Sequence, residues 1–160
     1  MKARSTLLVG LASAGLLAGM CTGVAGADLI DPTPYVDGNG VAWFNIAGNN
    51  CSITPDGTVG CDLPSPAPVM QMIVWGTTLP VPYVPAVVID SNAVPAHPQW
   101  NSNGSHTQPG GNPPIVPGVN QYTTSIFYAG TTCTVSVRND AVCSGMSHEF
   151  RISGTTVSGV

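Results

Sequence analysis

Apolar positions in this chain recur with a period of two. Cys51, Ile53, Val59 and Cys61 alternate with polar or small neighbours, as do Cys133, Val135, Ala141 and Cys143. Alternation of this kind places one apolar face on a β-strand, because successive side chains point to opposite sides. His148 to Ile152 alternates in the same way, with Phe150 and Ile152 on the core side. Two runs are almost continuously apolar, Val69 to Trp75 and Ala86 to Ile89, and read as strands covered on both faces, with Trp43 and Trp75 in the core. Prolines 80, 82 and 85 between them exclude a helix and favour an extended edge. Nothing after residue 27 shows a helical period. The pattern predicts a mainly β fold, a small disulfide-stapled sandwich or partly open barrel with two similar β-hairpins and long Pro/Gly-rich loops.

The two hairpins are copies of one unit. Ala47-Gly48-Asn49-Asn50-Cys51-Ser52-Ile53-Thr54 aligns with Ala129-Gly130-Thr131-Thr132-Cys133-Thr134-Val135-Ser136 at an offset of 82, and each cysteine is followed by a second after nine intervening residues. Pro55-Asp56-Gly57 has the composition of a three-residue hairpin loop whose last position needs positive φ. Its counterpart, Val137-Arg138-Asn139, puts there the non-glycine residue that best tolerates that conformation. Counting outward pairs Cys51 with Cys61 and Cys133 with Cys143 across the strands. If the pair beside each loop is hydrogen-bonded, the cysteines occupy non-hydrogen-bonded sites with Cα atoms about 4.5 Å apart, within disulfide range.

Around these units the chain divides into residues 1–27, an expected signal peptide, and residues 28–160, an expected single secreted β domain. That domain has hairpin units around 41–63 and 122–145, an extended arm at 28–40, a Pro-rich connector at 64–68 and a long surface loop at 91–120. The leader begins with Lys2 and Arg4, continues through an uncharged run from Leu7 to Met20, and ends in Ala25-Gly26-Ala27 before Asp28, the small residues a signal peptidase requires. The apolar run is shorter than the roughly 20 residues that span a bilayer, and prolines interrupt every later stretch, so no transmembrane segment is expected in the mature chain. The rival reading, lipidation of Cys21, is disfavoured by the bulky Met20 before it.

Cleavage after Ala27 leaves four cysteines, an even number suited to disulfides in an oxidising compartment. Chain entropy alone favours bridges across the units, about 4.5 kcal/mol for a loop of roughly 80 residues against about 2.8 for a local one, whereas hairpin geometry favours local pairs. The cysteine spacing matches no usual zinc site, and His97, His106 and His148 stand far apart in sequence. Cleavage also leaves two arginines and no lysine against eight acids, a formal charge of −6. Such a chain cannot release counterions from nucleic acid or bind an anionic membrane surface, and it has no lysine nucleophile.

Gly48-Asn49-Asn50-Cys51-Ser52-Ile53, followed by Asp56-Gly57-Thr58-Val59-Gly60-Cys61-Asp62-Leu63, resembles the Gly-Asn…Cys…Asp-Gly…Cys-Asp pattern of small exported proteins of unknown function in mycobacteria and related actinobacteria. The likeness covers about 20 residues and is weaker at residues 104–111 and in the second hairpin, where Asn139-Asp140 replaces Asp-Gly. It implies an extracytoplasmic address and disulfides, and carries over no catalytic residue.

Motifs for phosphate cradling, dinucleotide binding, a nucleophile elbow and a zinc helix are all missing, so neither a cofactor nor a metal is expected. Ser147-His148-Glu149 are adjacent on one strand and point to alternate faces, which prevents them from forming a triad by themselves. Trp100, with His97 and His106 in the long loop, is the candidate binding group. The expected function is non-catalytic contact with a cell-wall component or protein partner. The alternative is a small secreted hydrolase using Glu149 and His148 with an aspartate.

Overall fold

A computed structural model describes residues 28–64, 68–101, 104–115 and 122–160. The expected signal peptide, the centre of the Pro-rich connector and two parts of the 91–120 segment lie outside these residues. The described chain is mainly β, with two sheets not closed into a barrel. Its strands are β1 (Asp28–Ile30), β2 (Ala42–Ile46), β3 (Asn49–Ile53), β4 (Val59–Asp62), β5 (Val69–Val74), β6 (Thr77–Val81), β7 (Ala86–Ile89), β8 (His97–Pro98), β9 (Thr123–Tyr128), β10 (Thr131–Ser136), β11 (Ala141–Gly145), β12 (His148–Ser153) and β13 (Thr156–Gly159). The larger sheet runs β1-β9-β10-β11-β12-β13-β5-β6, and the smaller runs β2-β3-β4-β7-β8. Only β1/β9 and β13/β5 are parallel among these neighbours.

Each repeat is a three-stranded meander, β2-β3-β4 in the smaller sheet and β9-β10-β11 in the larger. Ala47-Gly48 and Ala129-Gly130 form their tight turns, with φ of 52° and 81° in the first and 47° and 83° in the second. Positive φ at both central positions is the type I′ geometry whose twist matches paired strands. The three-residue loops follow as expected, with Gly57 at φ 87° and Asn139 at φ 63°. Thr54 N–H donates to Thr58 O and Ser136 N–H to Asp140 O, so the pairs beside the loops are hydrogen-bonded. Cys51 therefore faces Cys61, and Cys133 faces Cys143, at non-hydrogen-bonded positions. Both local disulfides form, with Cα separations of 4.0 and 4.1 Å.

The two units meet reciprocally. The Gly57 loop lies on the Ala129-Gly130 turn, where Thr131 Oγ1 donates to Gly57 O at 2.7 Å, and the Asn139 loop reaches back so that Asn139 Nδ2 donates to Ala47 O at 3.5 Å. The offset of 82 relates Gly57 to Asn139 and Ala47 to Ala129, so the same two corners touch in both directions. Between them sits a core from both sheets that includes Phe44, Ile46, Ile53, Ile126, Phe150, Val157 and the two disulfides, all without solvent exposure. Each such large side chain contributes about 1.5–3 kcal/mol by leaving water.

Three expectations are corrected. Residues 28–40 are not simply an extended arm, because Asp28–Ile30 adds β1 to β9 and Thr33–Tyr35 forms a 3₁₀ turn. Val69 to Trp75 is not covered on both faces: Val69 and Ile73 are exposed, and Trp75 is wholly so. Continuous apolarity suited a two-sided strand only at β7, where all four residues are buried. Trp43 is not a core residue either; it stands on the outer face of β2 and donates from Nε1 to Asp37 Oδ2 at 3.0 Å.

Candidate functional site

The outer face of the smaller sheet carries two cross-strand rows. One runs Asn45-Asn50-Asp62-Ala86 across β2, β3, β4 and β7, and the next runs Trp43-Ser52-Gly60-Val88-His97. Residues 104–115, expected as part of a surface loop, lie over this face as a strap. The end of the strap is pinned to edge strand β2, since Asn45 N–H donates to Pro113 O and Ile115 N–H to Asn45 O, at 2.7 and 2.8 Å. Its centre is held by buried Asn112, whose Nδ2 lies 2.8–3.2 Å from the carbonyls of His106, Cys51 and Phe44, while its Oδ1 accepts from Gln108 N–H. The two Nδ2 protons are shared among these three carbonyls, which ties the strap to both β2 and β3.

His106 is buried beneath the strap, and its ring rests on Gly60. A Cβ at residue 60 would lie 2.2–2.9 Å from three ring atoms, so only glycine admits the imidazole there. Gln99 Oε1 accepts from His106 Nε2–H at 2.7 Å, which leaves Nδ1 as the acceptor for the Ser52 hydroxyl at 2.8 Å. Burial lowers the His106 pKa from its ordinary value, against an opposing pull from the nearby Asp62 charge. The neutral ring suits both hydrogen bonds. Ser52 and His106 form a hydroxyl–imidazole pair, but with 4% and 7% exposure neither presents an atom to a substrate. The pair acts as a latch for the strap.

Asp62 joins the latch to an open cleft. Its Oδ2 accepts from His106 N–H at 3.0 Å and from Thr107 Oγ1 at 2.6 Å. Its shielded Oδ1 meets no donor among the described residues. Beside it, Asn50 Oδ1 accepts from Asn45 Nδ2 and Asn112 N–H. Asn50, Asp62 and Thr107 form the polar wall of a cleft of about 390 Å³; Leu63, Pro64 and Pro85 form its apolar wall, and Gly48 and Gly104 complete it. No cation lines this cleft, so its electrostatics favour ligands that bring hydrogen-bond donors.

Of the three candidate binding residues, the structure brings only His106 to this site, beneath its floor. Trp100 is exposed beyond β8 and does not line the cleft. His97 sits on β8 with Nδ1–H donating to Pro95 O and Nε2 3.7 Å from Asp90 Oδ2. Glu149 and His148 are not brought together with an aspartate: Glu149 accepts from Ser144 Oγ, and His148 Nε2–H donates to Asn92 O. No group of three metal-ligating side chains occurs among the described residues. Sequence reasoning missed Asn50, Asp62, Gln99 and Asn112 as parts of one site. The available signal was Gly60, a lone glycine inside a strand, which marks close approach by another group.

Compared with protein-family models, with curated proteins and with solved structures, the chain matches none. Its two disulfides fit a non-cytoplasmic protein. Among the described residues no helix is long and apolar enough to cross a membrane.

Proposed function

We propose that the chain is an exported, non-catalytic protein of the cell envelope or extracellular space that binds a neutral polar cell-wall component, of the class a glycan offers, in the Asn50–Asp62 cleft. The observation that carries this reading is the cross-strand pair itself. Asn50 and Asp62 are direct neighbours in register, immobilised by the strap, and line a cleft with polar and apolar residues. The carboxamide N–H of Asn50 and the hydroxyl oxygen of Thr107, which Asp62 holds in place, fit adjacent sugar hydroxyls, and the proline and leucine wall fits the C–H face of a ring. An anionic ligand would meet Asp62 with no cation to offset the repulsion.

Export begins with cleavage after Ala27. Asp28 already belongs to β1, so a mature chain starting there keeps every described strand. The likeness of residues 48–63 to small exported actinobacterial proteins supports the same address.

Calorimetric titration of the mature chain with soluble cell-wall glycan fragments, and separately with their peptide stems, tests the reading. Asn50→Asp keeps the acceptor for Asn45 Nδ2 and Asn112 N–H while replacing the carboxamide donor by a second acceptor, so it is expected to weaken glycan binding about tenfold, the size of one lost hydrogen bond. Equal binding by the variant, or binding of the peptide stems alone, would overturn the glycan assignment.

A further inference from the structure

The β5–β6 hairpin at the edge of the larger sheet has a different surface chemistry. Its root is anchored, with Met70 buried and Met72 and Val81 packed against the core. Towards the turn the anchoring ends. Leu79, opposite Met72 on the inner face, is exposed, and so is Ile73 on the outer face. Trp75, in the turn, is 100% exposed. The turn is Trp75-Gly76 with φ of 48° and 77°, a type I′ geometry for which Asn-Gly is the ordinary solution. Holding a bulky aromatic at positive φ is strained, and strain of this kind concentrates where function requires it. No charged residue occurs between Asp62 and Asp90.

We infer that this tip inserts shallowly into an uncharged lipid surface. An apolar element that must be covered on both faces suits a fluid medium better than a groove, which covers one. Trp is the side chain that favours the boundary between headgroups and acyl chains. A mature formal charge of −6 and a hairpin without Lys or Arg direct the tip to zwitterionic or neutral lipid and away from an anionic leaflet. Strand addition by a second copy is opposed by Pro80, which removes a donor from the exposed edge strand β6. The β5–β6 ladder satisfies the backbone of the tip on one side only, which limits insertion to the headgroup boundary.

The mature chain is tested by co-sedimentation with phosphatidylcholine vesicles and by tryptophan fluorescence with bromine-labelled acyl chains. Wild type is expected to sediment with the vesicles and to be quenched. Trp75→Asn places the preferred residue in the turn, so it is expected to melt at the same temperature or higher while partitioning about tenfold less, the factor for exposing one large apolar side chain. Three results would each overturn the inference: no association of wild type with phosphatidylcholine, unchanged partitioning of Trp75→Asn, or Trp75-dependent self-association without vesicles. Binding confined to phosphatidylglycerol vesicles would also contradict it. The test is independent of the glycan reading, because Asn50→Asp leaves the tip unaltered.

Discussion

The two repeat units share a backbone and a disulfide but differ on their outer faces. Where the first unit has Asn50, Ser52, Gly60 and Asp62, the second has Thr132, Thr134, Val142 and Ser144 at the offset of 82. In the first, Ser52 and Gly60 are buried beneath the strap; in the second, Thr134 and Val142 are only half-buried. The inner faces follow one rule in both units because the core imposes it. The difference on the outer face comes from one missing side chain: without a Cβ at residue 60 the imidazole of His106 can lie on the sheet, and the strap can follow it. A repeated scaffold has thus supplied one plain face and one face that carries a strap and a cleft.

The largest effects should fall on what the units share. Replacing both cysteines of either pair by serine is expected to cost roughly 2–5 kcal/mol in urea melts, and about equally for the two pairs, since each closes a loop of the same length. A non-reducing digest of the single-pair variants should show the other bridge intact. Markedly unequal costs would mean that one unit is held by something beyond its core and bridge.

Exchanging the residues that distinguish the outer faces comes next. Gly60→Val gives the first unit the residue of the second and displaces His106, with an expected cost of about 2–4 kcal/mol from overpacking and from polar groups left unpaired. Limited proteolysis should then cut within residues 104–115. The reverse change, Val142→Gly, displaces no strap and should cost about 1 kcal/mol, the ordinary penalty of glycine in a strand.

The loops provide a smaller version of the same contrast. Gly57→Val is expected to cost about 2–3 kcal/mol, because a branched residue is strained at positive φ and its Cβ would lie 2.7 Å from Ala129 O. Asn139→Gly keeps the conformation and loses one long hydrogen bond, so its melt should shift by under about 1 kcal/mol. Equal shifts would show that the reciprocal contact between units is not what holds these loops.

These contrasts also mark how far the sequence could be read. Period-two alternation and cysteine spacing specify the inner faces, because a core accepts one register and a one-residue slip would expose Ile53 and Val135. The outer face follows no such rule. His106 and Asp62 are 44 residues apart, and nothing local in either predicts that a strap held by Asn112 brings them together. Trp75 and Trp43 were misplaced because aromatic content signals burial on average, whereas the turn at Trp75-Gly76 and the Asp37 carboxylate beside Trp43 are decided by backbone geometry and a polar partner.

The smallest effect is a pH dependence confined to the first unit. The His106 pKa is lowered in the folded protein, so between that value and the unfolded value near 6.5 the unfolded chain binds more protons. Stability is therefore complete above about pH 6.5 and declines as pH falls through the folded pKa. His106→Gln should flatten this slope in melts at a series of pH values.

The most direct test of a site on one unit and a plain face on the other is an NMR titration of the mature chain with soluble cell-wall glycan. Amide shifts are predicted at Asn50, Asp62, Gly104 and Thr107, with none at the equivalent positions Thr132 and Ser144. Shifts confined to the second unit, or spread evenly over both, would contradict the account.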